Sequence, residues 1–356
     1  MKIIHAADLH LEGGYNKLTP EKNRLMREEG LLVFSQLIDV AVSEKAAIVL
    51  IAGDLFDKLS VRVSTKKFVL QAIESHPEIE FFYCLGNHDH RLSFENHPKN
   101  LHIFSVEFEK FDLGEVVIGG SSVLKFSRRD LVQKINFDAE KINILMLHAQ
   151  IFSAGKEDCL SFDVKDLSGK NIDYLALGHV HSRLNGKIDD RGEWVYSGNG
   201  GQRGFGQDKR GYVVIDISNN KISWQRHNFN LPRQFVELNV DISSADSYND
   251  IKALIINQLK NINKDDLVRV NLIGECDETL EKQGELLIRE VGKEFFHFEI
   301  VDSTKLKIDI ESLKKESLSL KAEIINLIYA SELSDDQKDD CAKIAVRALR
   351  GEEVDV

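Results

Sequence analysis

Five short polar motifs recur along the first 200 residues, and most of them stand immediately after an apolar run. They are Asp8-Leu9-His10, Gly53-Asp54-Leu55-Phe56-Asp57, Gly86-Asn87-His88-Asp89, His148 and Gly178-His179-Val180-His181. Four of the five directly follow a predicted strand. Because ligand sites in α/β sheets lie at the carboxyl ends of the strands, a sheet would bring these distant residues to one edge. The spacing therefore predicts an α/β domain with one shared polar site.

Apolar runs alternate with amphipathic stretches through the first predicted domain, residues 1–230. The run 46–52 is continuously apolar, which is typical of a strand covered on both faces. Thr19 is expected to cap a helix that has Pro20 at its first position. Helices are predicted at 20–42 and 64–74, and strands at 2–7, 46–52, 80–85, 116–118, 142–147, 174–177, 194–196, 212–217 and 222–227.

A change of pattern near Asn230-Leu231-Pro232 indicates a second domain over residues 233–302. A βαβαβ order is expected there, which makes a small α+β unit. Residues 303–356 read as charged helices, and Ser334 is expected to cap the last one. The second domain has strands predicted at 235–242, 267–272 and 296–301, and helices at 248–259 and 278–294.

Charge is distributed unevenly along the chain, whose net charge is −12. Residues 1–230 hold 29 Lys and Arg against 31 Asp and Glu, and residues 231–356 hold 17 against 27. A simple basic DNA-binding surface is therefore not expected. The acidic balance lies mainly in the second half, and two divalent ions would make the first half slightly positive.

Cysteine usage and hydropathy indicate the compartment. The four cysteines are far apart and form no CxxC pair, so neither a paired-thiolate zinc site nor a disulfide framework is expected. No apolar run is long enough to span a membrane. These features favour a reducing cytoplasm.

The residue types in the motifs indicate a metal centre. Asp, Asn and His together suit divalent ions such as manganese, iron or zinc, and manganese is favoured because oxygen ligands are present and cysteine is not. Two such ions, about 3.5–4 Å apart with a bridging carboxylate and hydroxide, would stabilise both oxygens of an in-line displacement. Each motif alone can be an ordinary turn or helix start. Five such motifs in a fixed order favour a metal site.

The order DxH, GDxxD, GNHD, H and GHxH resembles the calcineurin-like metallophosphoesterase superfamily over about residues 1–215. The resemblance implies a layered β-sandwich flanked by helices, with seven residues holding two metal ions. It assigns the first ion to Asp8, His10 and His181, the second to Asn87, His148 and His179, and the bridging carboxylate to Asp54.

Three further residues of the motifs receive roles from the same resemblance. His88 resembles the histidine that stabilises the transition state or protonates the leaving oxygen, which suits an imidazole near neutral pH. Asp89 is expected to act in catalysis by orienting His88. Asp57 is expected to brace the site rather than to bind a metal.

Within the superfamily, the chain resembles the DNA-repair exonucleases of the SbcD-like and YhaO-like branch. The signs are the opening MKIIHAADLHL, the segment VLIAGDLFD and the βαβαβ unit behind the first domain. The resemblance implies a metal-dependent DNA exonuclease or phosphodiesterase that works in DNA repair as a homodimer. It also implies that residues 233–302 form a capping domain and that 303–356 bind an SMC-like coiled-coil ATPase of the SbcC or YhaN type.

One stretch departs from the pattern of these relatives. They carry a Tyr-Pro-Gly-Ser element after the GHxH motif, whereas residues 196–206 of this chain read YSGNGGQRGFG. The proline is absent and glycine is more frequent. Arg203 and Phe205 in this stretch are expected to border the substrate.

Two other functions fit the same residues. A phosphodiesterase for small nucleotides, or a phosphoprotein phosphatase, would use the same metals, although a phosphatase has no need of the βαβαβ unit. A mainly structural subunit of an ATPase complex would bind its partner with negligible turnover. The complete ligand set argues against that last function, because a decayed site is expected to have lost ligands.

Overall fold

The computed structural model describes residues 1–57, 61–94, 96–122, 128–151, 160–201, 204–206, 209–277, 280–307 and 319–349. The chain divides into two compact units, Met1–Phe235 and Val236–Val356. Within the described ranges, no helix has both the length and the apolar character that crossing a membrane requires.

The first unit combines two sheets with flanking helices. Its strands are β1 (Lys2–Ala6), β2 (Ile48–Ala52), β3 (Glu80–Cys84), β4 (Leu101–Ile103), β5 (Glu109–Asp112), β6 (Val116–Ser121), β7 (Ile142–Gln150), β8 (Leu160–Ser161), β9 (Tyr174–Gly178), β10 (Asn185–Lys187), β11 (Glu193–Tyr196), β12 (Gly211–Ser218) and β13 (Lys221–Asn228). Its helices are α1 (Pro20–Ser43), α2 (Val63–Glu74) and α3 (Arg128–Lys134), with a 3-10 turn at Val164–Leu167.

The two sheets pack face to face. One has the order β13-β12-β1-β2-β3-β4, and the other has the order β10-β11-β9-β7-β6-β5 with β8 beside β7. Ile3, Leu50 and Ile144 lie fully buried in the shared cluster between them. On the outer face of the first sheet, Ile4 packs with Phe34 of α1, and the second sheet is covered by α3 and nearby loops. This helix-flanked sandwich confirms the predicted α/β fold class.

Helix α1 shows how the sequence produces this packing. Thr19 caps it by accepting a hydrogen bond from the Lys22 amide, and Pro20 stands at its start. Val33, Leu37 and Ala41 fall on one face at helical spacing and are fully buried against the first sheet. The helix therefore covers the outer face of the strands that lead into the polar motifs.

Strand direction brings the motifs together. Strands β1, β2 and β3 are parallel neighbours, so their carboxyl ends meet at one edge of the first sheet. In the second sheet β7 and β9 are also parallel, with His148 opposite Gly178. An isolated bridge between Leu11 and Phe56 continues the pairing beyond β1 and β2. All five motifs thus emerge from this ordered framework.

The second unit has its own sheet and core. Its elements are β14 (Phe235–Asp241), α4 (Tyr248–Leu259), β15 (Leu267–Ile273), β16 (Glu275–Cys276), α5 (Gly284–Val291), a 3-10 turn (Gly292–Glu294), β17 (His297–Asp302), β18 (Lys305–Leu306), α6 (Leu320–Tyr329) and α7 (Asp335–Leu349). The sheet order is β14-β15-β17, with α4 and α5 packed on one face, which confirms the small α+β unit. Helices α6 and α7 pack through Ile325, Ala342 and Val346. A separate segment at 303–356 stays a prediction.

Some element predictions were wrong. The helix predicted at 278–294 begins only at Gly284, because Gln283 has a left-handed backbone (φ 42°), and its end tightens into the 3-10 turn. Strands β4, β5 and β10 were not predicted. They are short edge strands, and a polar composition such as Glu-Lys-Phe-Asp in β5 has the pattern of a loop.

We expect Asn100→Ala to destabilise the first unit by about 1–3 kcal/mol. The Asn100 side chain is buried, and its amide donates to the carbonyls of Ile73, His76 and Ile79 at 3.0, 2.9 and 3.0 Å. Alanine removes that donor. Urea unfolding measures the loss, and the exposed Asn228→Ala control should change stability by less than about 0.5 kcal/mol. Equal effects of the two substitutions would contradict this role.

Candidate metal centre

The polar motifs occupy the turns that follow the parallel strands. Asp8 lies two residues beyond β1, Asp54 two residues beyond β2, and Asn87 three residues beyond β3. His148 lies within β7, and His179 follows β9 directly. The structure therefore places side chains from five separate parts of the sequence at one edge of the sandwich.

Asp8, His10 and His181 form the first group. Their ligand atoms all lie within 4.8 Å of one another. The Nε2 atoms of His10 and His181 are 3.2 Å apart, and His181 Nε2 is 3.9 Å from an Asp8 carboxylate oxygen. These are the three residues assigned to the first ion from the sequence.

The second group surrounds the amide oxygen of Asn87. His148 Nε2 lies 3.0 Å from Asn87 Oδ1, and His179 Nδ1 lies 3.3 Å from the same oxygen. Asp54 Oδ2 is 3.4 Å from His148 Nε2. Asp54, His148 and Asp8 also form a cluster within 4.8 Å, so the Asp54 carboxylate is near both groups.

The donor chemistry and spacing fit divalent ions. Nitrogen and oxygen ligands at about 2.0–2.2 Å from a common ion must lie about 3.0–3.5 Å from each other. Most of the ligand separations, 3.0 to 3.4 Å, fall in that range. Two histidine Nε2 atoms at 3.2 Å fit two ligands that converge on one ion. The seven residues could therefore hold two ions.

Backbone strain is concentrated at the same positions. Asp8, His10, Asp54 and His179 have left-handed φ values of 52°, 45°, 48° and 90°. Non-glycine residues there cost of order 1–3 kcal/mol each and persist only where the surroundings fix them. Backbone hydrogen bonds do so here, from Asp8 N to Gly53 O at 3.1 Å and from His10 N to Asp54 O at 3.0 Å. Such strain is typical of a functional site.

Gly53 makes room for His148. Its φ is +89°, and a Cβ atom at this position would lie 2.1 Å from His148 Nδ1. The same His148 nitrogen is 3.0 Å from the carbonyl oxygen of Ala52, which orients the ring so that Nε2 faces Asn87. The glycine of the GDxxD motif is thus required by close approach.

The glycine-rich stretch braces Asp8 from behind, a role that sequence analysis missed. The amides of Gly200 and Gly201 donate to the Asp8 carbonyl at 3.1 and 2.9 Å. A Cβ atom on Gly201 would lie 1.7 Å from the carbonyl oxygen of Leu9. The run of glycines in the sequence was the signal from which this bracing role could have been predicted. Near His148, the Tyr196 hydroxyl donates to Ala149 O at 2.8 Å and fixes that strand.

Of the two residues predicted to border the substrate, Phe205 is among the described residues. Phe205 packs edge-to-face with Tyr15 and Phe235, with ring centroids 5.7 and 5.1 Å apart. Arg203 lies outside the described residues.

The structure corrects the role given to Asp89. Its carboxylate is fully buried and accepts hydrogen bonds from the amides of Gly86 (2.7 Å) and Phe56 (3.2 Å) and from the Tyr83 hydroxyl. Both oxygens therefore hold the surrounding loops, and neither is directed at His88. The sequence placed Asp89 beside His88 only because the two are adjacent in the chain.

Asp57 is the acidic residue on the Nδ1 side of His88. The His88 Nδ1 atom lies 3.1 Å from the Asp57 carbonyl oxygen and 3.7 Å from its carboxylate. The same carboxylate oxygen is 3.4 Å from His10 Nδ1. On the other side, the His88 amide donates to Asp54 at 2.9 Å. Asp57 thus contacts both a proposed ligand and the proposed acid.

Burial governs the electrostatics of the cluster. Burial raises the pKa of Asp8. Burial opposes ionisation of Asp54 too, but the charge and hydrogen bond of His148 outweigh it and hold the pKa of Asp54 below its usual range. Burial lowers the pKa of His148, yet the carboxylates of Asp54 and Asp8 outweigh it and raise that pKa to about 9. In the metal-free chain, a proton on His148 supplies positive charge to the buried acids.

We expect metal binding to release protons at neutral pH. Metal ligands must be deprotonated, and His148 holds a proton up to its pKa of about 9, so that proton must leave when an ion binds. Metal affinity should therefore rise as the pH rises toward 9. Calorimetric titration in buffers of different ionisation enthalpy counts the protons, and His148→Ala should release fewer. Binding without proton release near pH 7 would contradict this charge balance.

The chain is similar to several known proteins. The sequence profile of the calcineurin-like phosphoesterase family matches residues 1–183. The chain is 31% identical over 247 residues to a protein of Bacillus subtilis named uncharacterized metallophosphoesterase YhaO. The aligned region covers 63% of this chain and 59% of that protein. It is 24% identical to the DNA double-strand break repair protein Mre11 of Thermoplasma acidophilum, covering 99% of this chain and 95% of that protein.

A second Mre11, from Methanocaldococcus jannaschii, is 26% identical and covers 67% of this chain and 69% of its own length. Among solved structures, a dimetal phosphatase from Danio rerio covers 64% of this chain and 95% of its own at 10% identity, with a TM-score of 0.44. The family match extends over more than half of the chain and includes all seven predicted ligands. The chain therefore belongs to the calcineurin-like phosphoesterase family, and it is a metal-dependent phosphoesterase, as the motifs predicted.

Proposed function

We propose that this protein is a metal-dependent DNA exonuclease that hydrolyses phosphodiester bonds in DNA repair. The observation that carries the proposal is that Asp54 clusters with Asp8 and His148, and Asp8 with His10 and His181, each group with its ligand atoms within 4.8 Å, while the partly exposed His88 lies near Asp54. The seven predicted ligands would hold two divalent ions, manganese by preference, and these ions would supply polarisation of the phosphate and activation of water for in-line attack. Protonation of the leaving oxygen is assigned to a side chain of the protein.

His88 is proposed to protonate the leaving oxygen. Its side chain is 31% exposed, whereas that of Asp54 is almost fully buried, so an incoming phosphate can reach His88. The Nδ1 atom faces the Asp57 carbonyl, which only accepts hydrogen bonds, so Nδ1 carries hydrogen. The Nε2 atom of the imidazolium is then the donor toward the substrate. Asp57 keeps the ring in this orientation.

Relatives support DNA as the substrate. Two of them are named DNA double-strand break repair proteins, and the Thermoplasma protein aligns over both units of this chain. A phosphatase acting on small or protein substrates would need no equivalent of the second unit. A small-nucleotide phosphodiesterase remains the competing function, since the same ions can serve both substrates.

The C-terminal helices support an ATPase partner. Leu320 and Leu327 of α6 are 64% and 67% exposed, and Ile344 and Leu349 of α7 are 39% and 40% exposed. Exposed apolar side chains at helical spacing are typical of helix-to-helix recognition. We propose that residues 303–356 bind the coiled coil of an SMC-like ATPase, and that the chain acts as a homodimer. A cytoplasmic location fits the free thiols of Cys84, Cys276 and Cys341.

We expect the purified protein with manganese to cut both linear DNA and bis-p-nitrophenyl phosphate. His88→Ala should lower the rate on DNA about 100- to 10,000-fold, since a lost general acid costs that much. The rate on the p-nitrophenyl diester should fall less, because p-nitrophenolate leaves without taking up a proton. Its metal content, measured by atomic emission, should stay unchanged because His88 is not a proposed ligand. The control His76→Ala, at the end of α2, should retain full activity.

Other outcomes separate the alternatives. Hydrolysis of the small diester without cleavage of DNA would favour the small-nucleotide phosphodiesterase or a missing partner. Loss of metal from His88→Ala would contradict its role as the acid. No turnover on either substrate, with both ions bound, would favour the structural subunit.

A further inference from the structure

A polar pair, His5 and Tyr174, lies in the apolar core between the two sheets. His5 Nδ1 is 3.0 Å from the Tyr174 hydroxyl oxygen, and the two rings meet edge-to-face with centroids 5.8 Å apart. Both side chains are fully buried, and Tyr174 packs in the same cluster as Ile3, Leu50 and Ile144. Neither residue belongs to the predicted ligand set, so metal binding does not directly account for the pair.

The pair is neutral and is joined by a hydrogen bond. Burial lowers the pKa of His5 to about 3, although a contact with the backbone of Leu177 opposes this shift. Burial also raises the pKa of the Tyr174 hydroxyl well above its usual value. In a neutral imidazole one ring nitrogen donates and the other accepts, so the bond to the hydroxyl can form in either tautomer. The pair therefore adds a directional contact to the core without adding charge.

Packing alone does not require polar atoms at this position. When both partners of a buried hydrogen bond are replaced by apolar groups of similar shape, the effect on stability can be nearly neutral. An apolar contact tolerates small shifts of the two sheets, whereas a hydrogen bond is sensitive to both distance and angle. The bond between His5 and Tyr174 therefore fixes β1 relative to β9 across the core.

The two strands that the pair joins carry all three predicted ligands of the first ion. Strand β1 leads into Asp8 and His10, and strand β9 leads into His181. His5 precedes Asp8 by three residues, which is about 10 Å along an extended chain. Because these ligands come from β1 and β9 alone, their separation depends on how the two strands are aligned.

The same strands meet again at the site itself. The His179 amide donates to both carboxylate oxygens of Asp8, at 3.1 and 3.0 Å. Just before it, a Cβ atom on Gly178 would lie 2.9 Å from the Cβ atom of Ala7 and 1.9 Å from the carbonyl oxygen of Ala52. The ends of β1 and β9 are thus in close contact, and a small change in their alignment would move the ligands that they carry.

We propose that His5 and Tyr174 are positioning residues that align β1 with β9 and so set the separation of the three residues predicted to hold the first ion. The inference rests on the metal centre of the proposed function and is independent of the substrate. The second ion should be less affected, because Asn87 and His148 reach it from β3 and β7, which the pair does not join.

Removal of either polar group should weaken binding of the first ion. Tyr174→Phe deletes the hydroxyl, and His5→Leu deletes the ring nitrogens. Loss of a residue that orients a metal ligand lowers metal affinity about 10- to 100-fold, and we expect about 10-fold here because the pair acts through the strands. Titration with manganese, followed by the electron paramagnetic resonance signal of the free ion, measures the affinity of each site.

Variants of the ligands identify the weakened ion. In a His148→Ala background the second site is already impaired, so Tyr174→Phe should weaken the remaining site about 10-fold. In a His181→Ala background the first site is already impaired, so Tyr174→Phe should change the remaining affinity by less than about twofold. An equal loss in the two backgrounds would overturn the proposal.

Two further variants separate alignment from stability. His5→Leu with Tyr174→Phe replaces both polar partners, so its midpoint of urea unfolding should return toward that of the wild type. Its affinity for the first ion should nevertheless stay about 10-fold low. His5→Asn keeps a hydrogen-bonding atom near the position of Nδ1 and should retain more affinity than His5→Leu.

A hydrogen bond between the sheets at another place provides the matched control. The Trp224 indole in β13 donates to the Glu193 carboxylate in β11 at 2.9 Å, and neither strand carries a predicted ligand. Trp224→Phe removes this bond and should bind both ions with the affinity of the wild type.

Three results would overturn the positioning role. They are wild-type affinity for both ions in Tyr174→Phe and His5→Leu, recovery of full affinity in the double variant, and a loss in Trp224→Phe equal to that in Tyr174→Phe. Failure of the proposed function is distinct, because the wild type would then bind no manganese at this site.

Discussion

The buried carboxylate of Asp54 is the constraint on which the site depends. It lies near the carboxylate of Asp8, and both are almost inaccessible to water. Two negative charges at such a position are unfavourable unless a cation accompanies them. In the metal-free chain, His148 supplies a positive charge by keeping its proton. Divalent ions would replace that proton, which fits the proposed metal centre.

The arrangement of strands and turns accommodates this cluster. Parallel strands supply the motifs from both sheets, and the tight turns after them adopt left-handed conformations at Asp8, His10 and Asp54. Buried partners hold those turns, among them the amide of Gly201 and the carboxylate of Asp89. Stability of the sandwich and strain of the site are therefore linked, because the packed strands keep the strained residues in place.

Much of this organisation could be predicted from the sequence. A run such as 46–52, apolar at every position, has few alternatives to a strand covered on both faces, and the motifs that follow such runs mark the sheet edge. Edge strands were not predicted. In β5, for example, charged residues are exposed on one side, and such a composition has the pattern of a loop. Their pairing depends on a neighbour far away in the sequence, and local pattern does not contain that information.

Individual side-chain partners were harder to predict than the ligand set. Asp89 is next to His88 in the chain, yet its oxygens turn to Gly86 and Tyr83, and Asp57 contacts the imidazole instead. Adjacent residues in a turn point in different directions, so adjacency does not imply contact. The ligand types, in contrast, are limited by chemistry, since few side chains bind divalent ions.

Anomalous diffraction at the manganese absorption edge would show directly whether this cluster holds two ions. Crystals grown with manganese should show two peaks about 3.5–4 Å apart, the usual spacing of a two-metal centre. One peak should lie beside His10 and His181 and the other beside His148 and His179, with Asp54 contacting both. A single peak, or peaks away from these residues, would show that the seven residues do not hold two ions.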